Sequence, residues 1–349
     1  MLLNRKNPHG GDIYHNKVRL DFSANINPAG MPDAVRNALR DAALSCTAYP
    51  DPYCTALREK LAGAERVPEG WILCGNGAAE LIYQFAYALP RSKPVLIVSP
   101  AFCEYGQALQ AAGIGAAHYL MREEDGFRLT DTFLRTDFSG YGAVILCSPN
   151  NPTGICIEPA LLHELLARGV RVFCDLCFLD LTDEPERYDI PALLKAFPNL
   201  VILRAFTKSY AMAGVRLGYA LCSDPVFLEK MAEKVPCWNV STLAQQAGIA
   251  ALGCRDWLRE SVVRISAERE RMMRILSGLG LHVFPGEANF LLVYAENSLP
   301  EALMSRGIMV RDCAGYVGLR RGYFRVAVRT RAENDQLLAG IQEILHACK

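Results

Sequence analysis

The chain has 349 residues, 51% hydrophobic and 21% charged, which is enough for two domains with a sizeable core and too apolar for a disordered polymer. Thirty-seven basic residues balance thirty-seven acidic ones, so no net field draws the chain to nucleic acid or to an anionic membrane, and the expected ligand is a small molecule. Thirteen cysteines lie scattered in apolar segments such as Val144–Cys147 and Val172–Cys174, which reads as buried thiols rather than a disulfide framework. No apolar run has signal-peptide or bilayer-spanning length, so the expected compartment is the cytoplasm.

In chain order, β-rich runs begin at Trp71–Cys74 and Val95–Ser99. A helix at Cys103–Ala112 leads to a strand at Ala143–Cys147, and a helix at Pro159–Arg168 leads to strands at Val170–Cys174, Leu200–Leu203 and Leu217–Cys222. This alternation predicts an α/β fold with a mainly parallel central sheet flanked by helices, whose ligands sit at the carboxyl ends of the strands. From Ser241 to Leu279 the pattern becomes one long helical region, closed by Gly278 and Gly280. Strands follow at His282–Phe284, Phe290–Tyr294, Met309–Arg311 and Tyr323–Val328, with helices at Pro300–Arg306 and from Ala332 onward. The predicted division is an N-terminal arm (1–30), a large domain (31–240) and a smaller α+β C-terminal domain (241–349).

Four groups fall at the ends of predicted strands. Gly75-Asn76-Gly77-Ala78-Ala79-Glu80 is a glycine turn opening a helix, where free N–H groups and the helix dipole suit a phosphate. A dinucleotide fingerprint fits less well, because Glu80 crowds the place where that helix closes on its strand. Ser148-Pro149-Asn150-Asn151-Pro152-Thr153-Gly154 is either a plain polar turn or a place for an amide donor. Asp175 ends an apolar run, so it is either capped or paired with a buried cation such as a pyridinium nitrogen. Lys208 precedes Arg216 by eight residues: desolvation and a neighbouring cation would lower the amine's pKa, and the arginine could clamp a phosphate. Cys174 and Cys177 form a C-x-x-C inside a predicted strand, where they point to opposite faces and suit no redox role. No spacing of histidines or cysteines supports a metal.

The order of glycine turn, N-P-T-G, aspartate and lysine with arginine eight on resembles the fold-type I enzymes of the aminotransferase superfamily, which use pyridoxal 5'-phosphate (PLP). The resemblance implies that Lys208 holds PLP as a Schiff base, that Asp175 pairs the pyridine nitrogen, that Asn151 bonds the ring hydroxyl and that Phe102 stacks on the ring. It places the cofactor phosphate on Gly77, Ala78, Thr207 and Arg216, with Tyr49 reaching in from the neighbouring subunit of a homodimer. Two departures stand out: Phe178 replaces the tyrosine that often bonds the ring hydroxyl, and Ala205 stands where a hydroxyl often reaches the phosphate.

Pro8-His9-Gly10-Gly11-Asp12, Asp21-Phe22-Ser23-Ala24-Asn25-Ile26-Asn27-Pro28, Arg311-Asp312-Cys313-Ala314 and Tyr323–Arg329 narrow the resemblance to the threonine-phosphate decarboxylases of cobalamin biosynthesis. By that resemblance His9, Gly10, Asn25, Asn151, Arg311 and Arg325 line the substrate site. Arg325 would grip the carboxylate, and His9 and Arg311 the phosphate. Arg325 and Arg329 would share a face of one strand. The implied reaction releases CO2 from O-phospho-L-threonine and leaves (R)-1-aminopropan-2-yl phosphate. Histidinol-phosphate aminotransferase, or a decarboxylase of O-phospho-L-serine, is the alternative.

Overall fold

A computed structural model of the chain describes residues 9–296 and 299–347, so Pro8 of the H-G-G stretch lies outside the described residues. Among the described residues thirteen strands form three sheets. β1 (Leu20–Asp21) stands early in the chain, far from its partner. The central sheet holds β2 (Ile72–Gly75), β3 (Val95–Ser99), β4 (Ala116–Leu120), β5 (Ala143–Cys147), β6 (Val172–Asp175), β7 (Leu200–Ala205) and β8 (Gly218–Cys222), in the order 2-8-7-6-5-3-4. A second sheet is antiparallel: β9 (His282–Phe284) and β10 (Phe290–Tyr294) lie beside β13 (Tyr323–Ala327) and β12 (Arg311–Asp312). β11 (Ile308–Met309) pairs in parallel with β1.

Every residue of β3, β5 and β6 is buried, as continuous apolar strands covered on both faces should be. Leu57, Leu61, Leu162 and Ala247 pack on one face of the sheet, and Leu81, Phe85, Leu109 and Met231 on the other. β8 runs antiparallel to β7 and β2, while the remaining neighbours are parallel, so six strands end at one edge. From β3 the chain goes outward to β4 and returns to β5 on the opposite side, which makes a crevice at that edge. The expected mainly parallel sheet with a second, smaller layer is therefore present.

Three local expectations change. The region 241–279 is two helices, Thr242–Leu252 and Arg255–Gly278, because Gly253 and Cys254 donate back to Ala250 and Ala251 in a tight turn. The run 309–311 splits at Val310, which passes the chain from one sheet to the next. β13 stops at Ala327, so Arg329 does not share a strand face with Arg325; it lies against the start of the last helix, bonded to Glu333 at 2.7 and 3.0 Å. Two helices ahead of residue 71, Asp33–Ala42 and Thr55–Glu65, and the edge strand β4 carry no signal used above.

Leu20 and Phe22 lie in the core of the antiparallel sheet with Phe290, Phe324 and Met272. The helix Thr242–Leu252 instead buries Ala244, Ala247 and Ala251 with Leu57 and Leu61. We propose drawing the small domain from about residue 255 and counting residues 20–22 with it, since a domain is defined by its own core.

Candidate active site

The edge of the sheet gathers the four groups. After β7 the chain makes a four-residue helix, Phe206–Ser209, that carries Lys208. Asn27, buried, fixes this turn: its N–H donates to the Lys208 carbonyl at 3.0 Å and its amide to the Ser209 carbonyl at 2.9 Å. Burial, then the Arg325 and Arg216 cations, lower the Lys208 amine from its ordinary value to about 8. The Lys208 Nζ lies 6.0 Å from the centre of the Phe178 ring, which is itself packed edge-on against Phe290 of the other sheet.

Asp175, at the end of β6, is buried. Its carboxylate accepts the Cys177 N–H at 2.9 Å and the Tyr105 hydroxyl at 2.7 Å. Among the described residues no cation pairs with it, and burial pushes its carboxyl above the ordinary value against those two bonds. Cys174 and Cys177 flank it as buried free thiols.

After β2, Gly77 has φ +84°, and a Cβ there would lie 2.5 Å from the Arg216 guanidinium. Arg216 therefore covers the N-terminus of the helix Ala78–Ala88 across a glycine. Gly218 lets β8 pass close behind, where a Cβ would come within 3.0 Å of the Ala78 nitrogen. Glu80 does not crowd the turn: its carboxylate folds back to the Asn76 N–H at 2.7 Å and takes the Asn239 amide at 2.6 Å. Thr207, half-buried, opens the lysine turn, and the buried Ala205 ahead of it closes β7 opposite Gly218.

In the turn after β5, Asn150 is structural, donating to the Pro100 carbonyl and accepting from Thr153. Its neighbour Asn151 accepts a hydrogen bond from Arg325, and its own NH2 stays available to an acceptor. Arg325 is buried and also donates to the Ser23 carbonyl at 2.6 Å, while Arg311 stands opposite it in the β12–β13 register. Asn25 is buried with both amide atoms unpartnered among the described residues, a cost of roughly 1–3 kcal/mol that a bound ligand would remove.

The arm reaches the same place. Gly10 packs on Ser23, where a Cβ would come within 2.8 Å, and the Gly11 N–H donates to the Ser23 hydroxyl at 2.8 Å. This sets the His9 ring 5.5 Å from Phe102, which lies edge-on to Tyr105 at 5.9 Å. Contacts thus run unbroken from His9 through Phe102 and Tyr105 to Asp175. Tyr49 takes no place in this constellation; it is 79% exposed and stacks on Trp238 at 4.5 Å.

Tyr105, Asn27, Ser23 and Glu104 escaped the sequence reading. Only Tyr105 had a usable signal, an aromatic in the first turn of the helix that follows Phe102. The others act through main-chain bonds or a partner distant in sequence.

An unpaired buried carboxylate, a glycine cradle under an arginine and a lysine of depressed pKa suit the pyridinium, phosphate and aldehyde of PLP respectively. The sequence profile described as aminotransferase class I and II matches residues 17–341. The chain belongs to that family. Its cofactor is pyridoxal 5'-phosphate. The chain is 39% identical to the threonine-phosphate decarboxylase of Salmonella typhimurium, over 93% of this chain and 91% of that protein. It is 29% identical to the adenosylcobalamin biosynthesis bifunctional protein of Leptospira interrogans, over 98% of this chain and 41% of that protein. Among solved structures, the histidinol-phosphate aminotransferase of Clostridium acetobutylicum superposes with a TM-score of 0.88 at 26% identity, covering 94% of this chain and 99% of that one.

Proposed function

We propose that the chain is a PLP-dependent carboxy-lyase that converts O-phospho-L-threonine to (R)-1-aminopropan-2-yl phosphate and CO2, for the nucleotide loop of cobalamin. The observation that carries this reading is the arm: Gly10 on Ser23 sets His9 beside Phe102, next to the Ser23 carbonyl that Arg325 holds. A site with a histidine and two arginines around it suits a substrate bearing both a carboxylate and a phosphate. The similarity to the Salmonella typhimurium enzyme points the same way.

PLP, when bound, supplies a protonated conjugated ring that takes up the electron pair left on Cα as CO2 departs. Lys208 would hold the cofactor through its Nζ, and the same amine would carry a proton to the substrate Cα. Its amine is neutral above about pH 8, so burial prepares it as a nucleophile. Asp175 keeps the ring nitrogen protonated, and Tyr105 and the Cys177 N–H hold that carboxylate in place. Asn151 donates to the ring oxygen while accepting from Arg325. With the cofactor bound, Arg325 would take the substrate carboxylate and fix its direction, His9 and Arg311 would take the phosphate, and Asn25 and Gly10 would complete the wall. Gly77, Ala78, Thr207 and Arg216 hold the cofactor phosphate and Phe102 covers the ring.

The exposed Tyr49 suits a homodimer in which it completes the partner's phosphate site. No helix among the described residues is long and apolar enough to cross a membrane, and a cytoplasmic enzyme is the reading we favour. The holoenzyme incubated with phosphothreonine and no keto acid should release CO2. Amino transfer from histidinol phosphate to 2-oxoglutarate without CO2 release would instead make it an aminotransferase.

A further inference from the structure

Glu104 has no part in the cofactor site, yet its carboxylate meets the arm at His9. The His9 Nε2 lies 2.6 Å from the Glu104 carboxylate, with side-chain exposures of 30% and 13%. The other ring nitrogen, Nδ1, faces the Cys103 sulfur at 3.7 Å. Glu104 is the first residue of the helix Glu104–Ala112, where the helix dipole favours a negative charge. The Tyr83 hydroxyl also faces this carboxylate, and within the arm the Asp21 carboxylate is engaged by the Ser23 hydroxyl at 2.6 Å.

A neutral imidazole has one N–H. If it is given to Glu104, Nδ1 offers a lone pair and would repel a phosphate; only the doubly protonated ring can hold Glu104 on one side and donate to an anion on the other. We infer that Glu104 is a positioning residue for the substrate phosphate, fixing the His9 ring and keeping it charged so that Nδ1–H can turn from the Cys103 sulfur to a phosphate monoester. The inference rests on the decarboxylase reading and deepens it, assigning the phosphate end of the substrate to an arm–helix ion pair. Consistent with this geometry, the contacts to Cys103 and then Glu104 raise the imidazole from its ordinary value to about 9. Charge on His9 is thus present at neutral pH and lost as pH rises through about 9.

The test is a comparison of holoenzymes across pH with phosphothreonine. Glu104→Gln removes the Glu104 part of that upward shift and leaves the Cys103 contact, so KM should stay within about twofold of the parent at pH 6 and rise about threefold or more at pH 8.5, with kcat and the cofactor absorption band unchanged. Glu104→Asp should restore the parent profile. His9→Gln should raise KM at every pH, and adding Glu104→Gln to it should change nothing further. A Glu104→Gln profile parallel to the parent, an effect on kcat rather than KM, or an equal effect in the His9→Gln background would overturn the inference. Binding is also read directly, from the shift of the absorption band on titration with phosphothreonine, with L-threonine as the phosphate-free control. A parent enzyme that binds phosphothreonine in this pH-dependent way without releasing CO2 would sink the decarboxylase reading while supporting the role of Glu104.

Discussion

Arg325 donates to the side-chain oxygen of Asn151, which joins a strand of the small antiparallel sheet to the turn after β5. The residue proposed to grip the substrate carboxylate and the residue proposed to bond the cofactor ring therefore move as one unit. Replacing Arg325 by Lys removes the planar fork and cannot serve Asn151, Ser23 and a carboxylate together. Steady-state assays should show kcat/KM lower by about 100- to 1,000-fold, equivalent to about 3–4 kcal/mol. A loss below tenfold would place the carboxylate elsewhere.

Asp175→Asn should separate stability from activity. A raised folded-state pKa means that the acid form is the favoured one: the stability this group contributes is full below its unfolded pKa and is gone once pH has risen through the folded value. Burial disfavours the charged form of this carboxyl, so the amide variant should unfold at equal or higher denaturant concentration, by about 1 kcal/mol. The same variant should lose at least about 100-fold in kcat, since the ring nitrogen is no longer held protonated. Tyr105→Phe, which keeps the charge and loses one bond, should cost only about tenfold.

Much of this was legible in the sequence. The strand-end positions of Gly77, Asn151, Asp175 and Lys208 follow from short apolar runs ending in polar turns, and the structure keeps those runs nearly as predicted. The joins were not legible. Nothing local tells that Val310 changes sheets, that the helical pattern breaks at Gly253, or that Arg329 leaves the ladder for Glu333. A partner distant in sequence decides the Val310 crossing, as it decides that Asn27 serves the lysine turn, while short-range bonds to Ala250, Ala251 and Glu333 decide the other two. Glu80 misled because its polar, bulky character suggested crowding, whereas its length lets it fold back on the Asn76 N–H.

Gly77→Ala adds a methyl where the guanidinium of Arg216 already sits and in a backbone region that costs a non-glycine residue roughly 1 kcal/mol or more. Titrating the apoprotein with PLP should show affinity weakened by about tenfold or more, with the helical circular-dichroism signal retained. An unchanged affinity would show that the phosphate rests elsewhere.

Lys208 should capture PLP with a pH dependence set by its own amine. Its depressed value of about 8 means that the reactive, uncharged form accumulates above that pH, rather than above the ordinary lysine range. Rates of absorbance change on adding PLP to apoprotein should rise from pH 6.5 and level off near about pH 9. Continued increase past pH 10 would contradict the burial argument.

If Tyr49 completes a neighbour's site, two inactive variants should repair one another. Mixing Lys208→Ala with Tyr49→Ala, followed by subunit exchange, should restore up to about a quarter of the parent activity, because half of the dimers are hybrids and each hybrid has one intact site. No recovery after proven exchange would confine Tyr49 to its stack on Trp238.

β8 alone separates β7 from β2, so the lysine turn and the glycine cradle stand two strand spacings apart, about 9.6 Å in the hydrogen-bonding direction. If Lys208 and Gly77 hold the two ends of the cofactor, the sheet acts as a gauge for its length. Its divisions are main-chain hydrogen bonds, which point substitutions do not alter. A cofactor analogue with one extra methylene between ring and phosphate would overshoot the cradle whatever replaced Arg216, and adapting the fold to it would require a new ladder rather than new side chains.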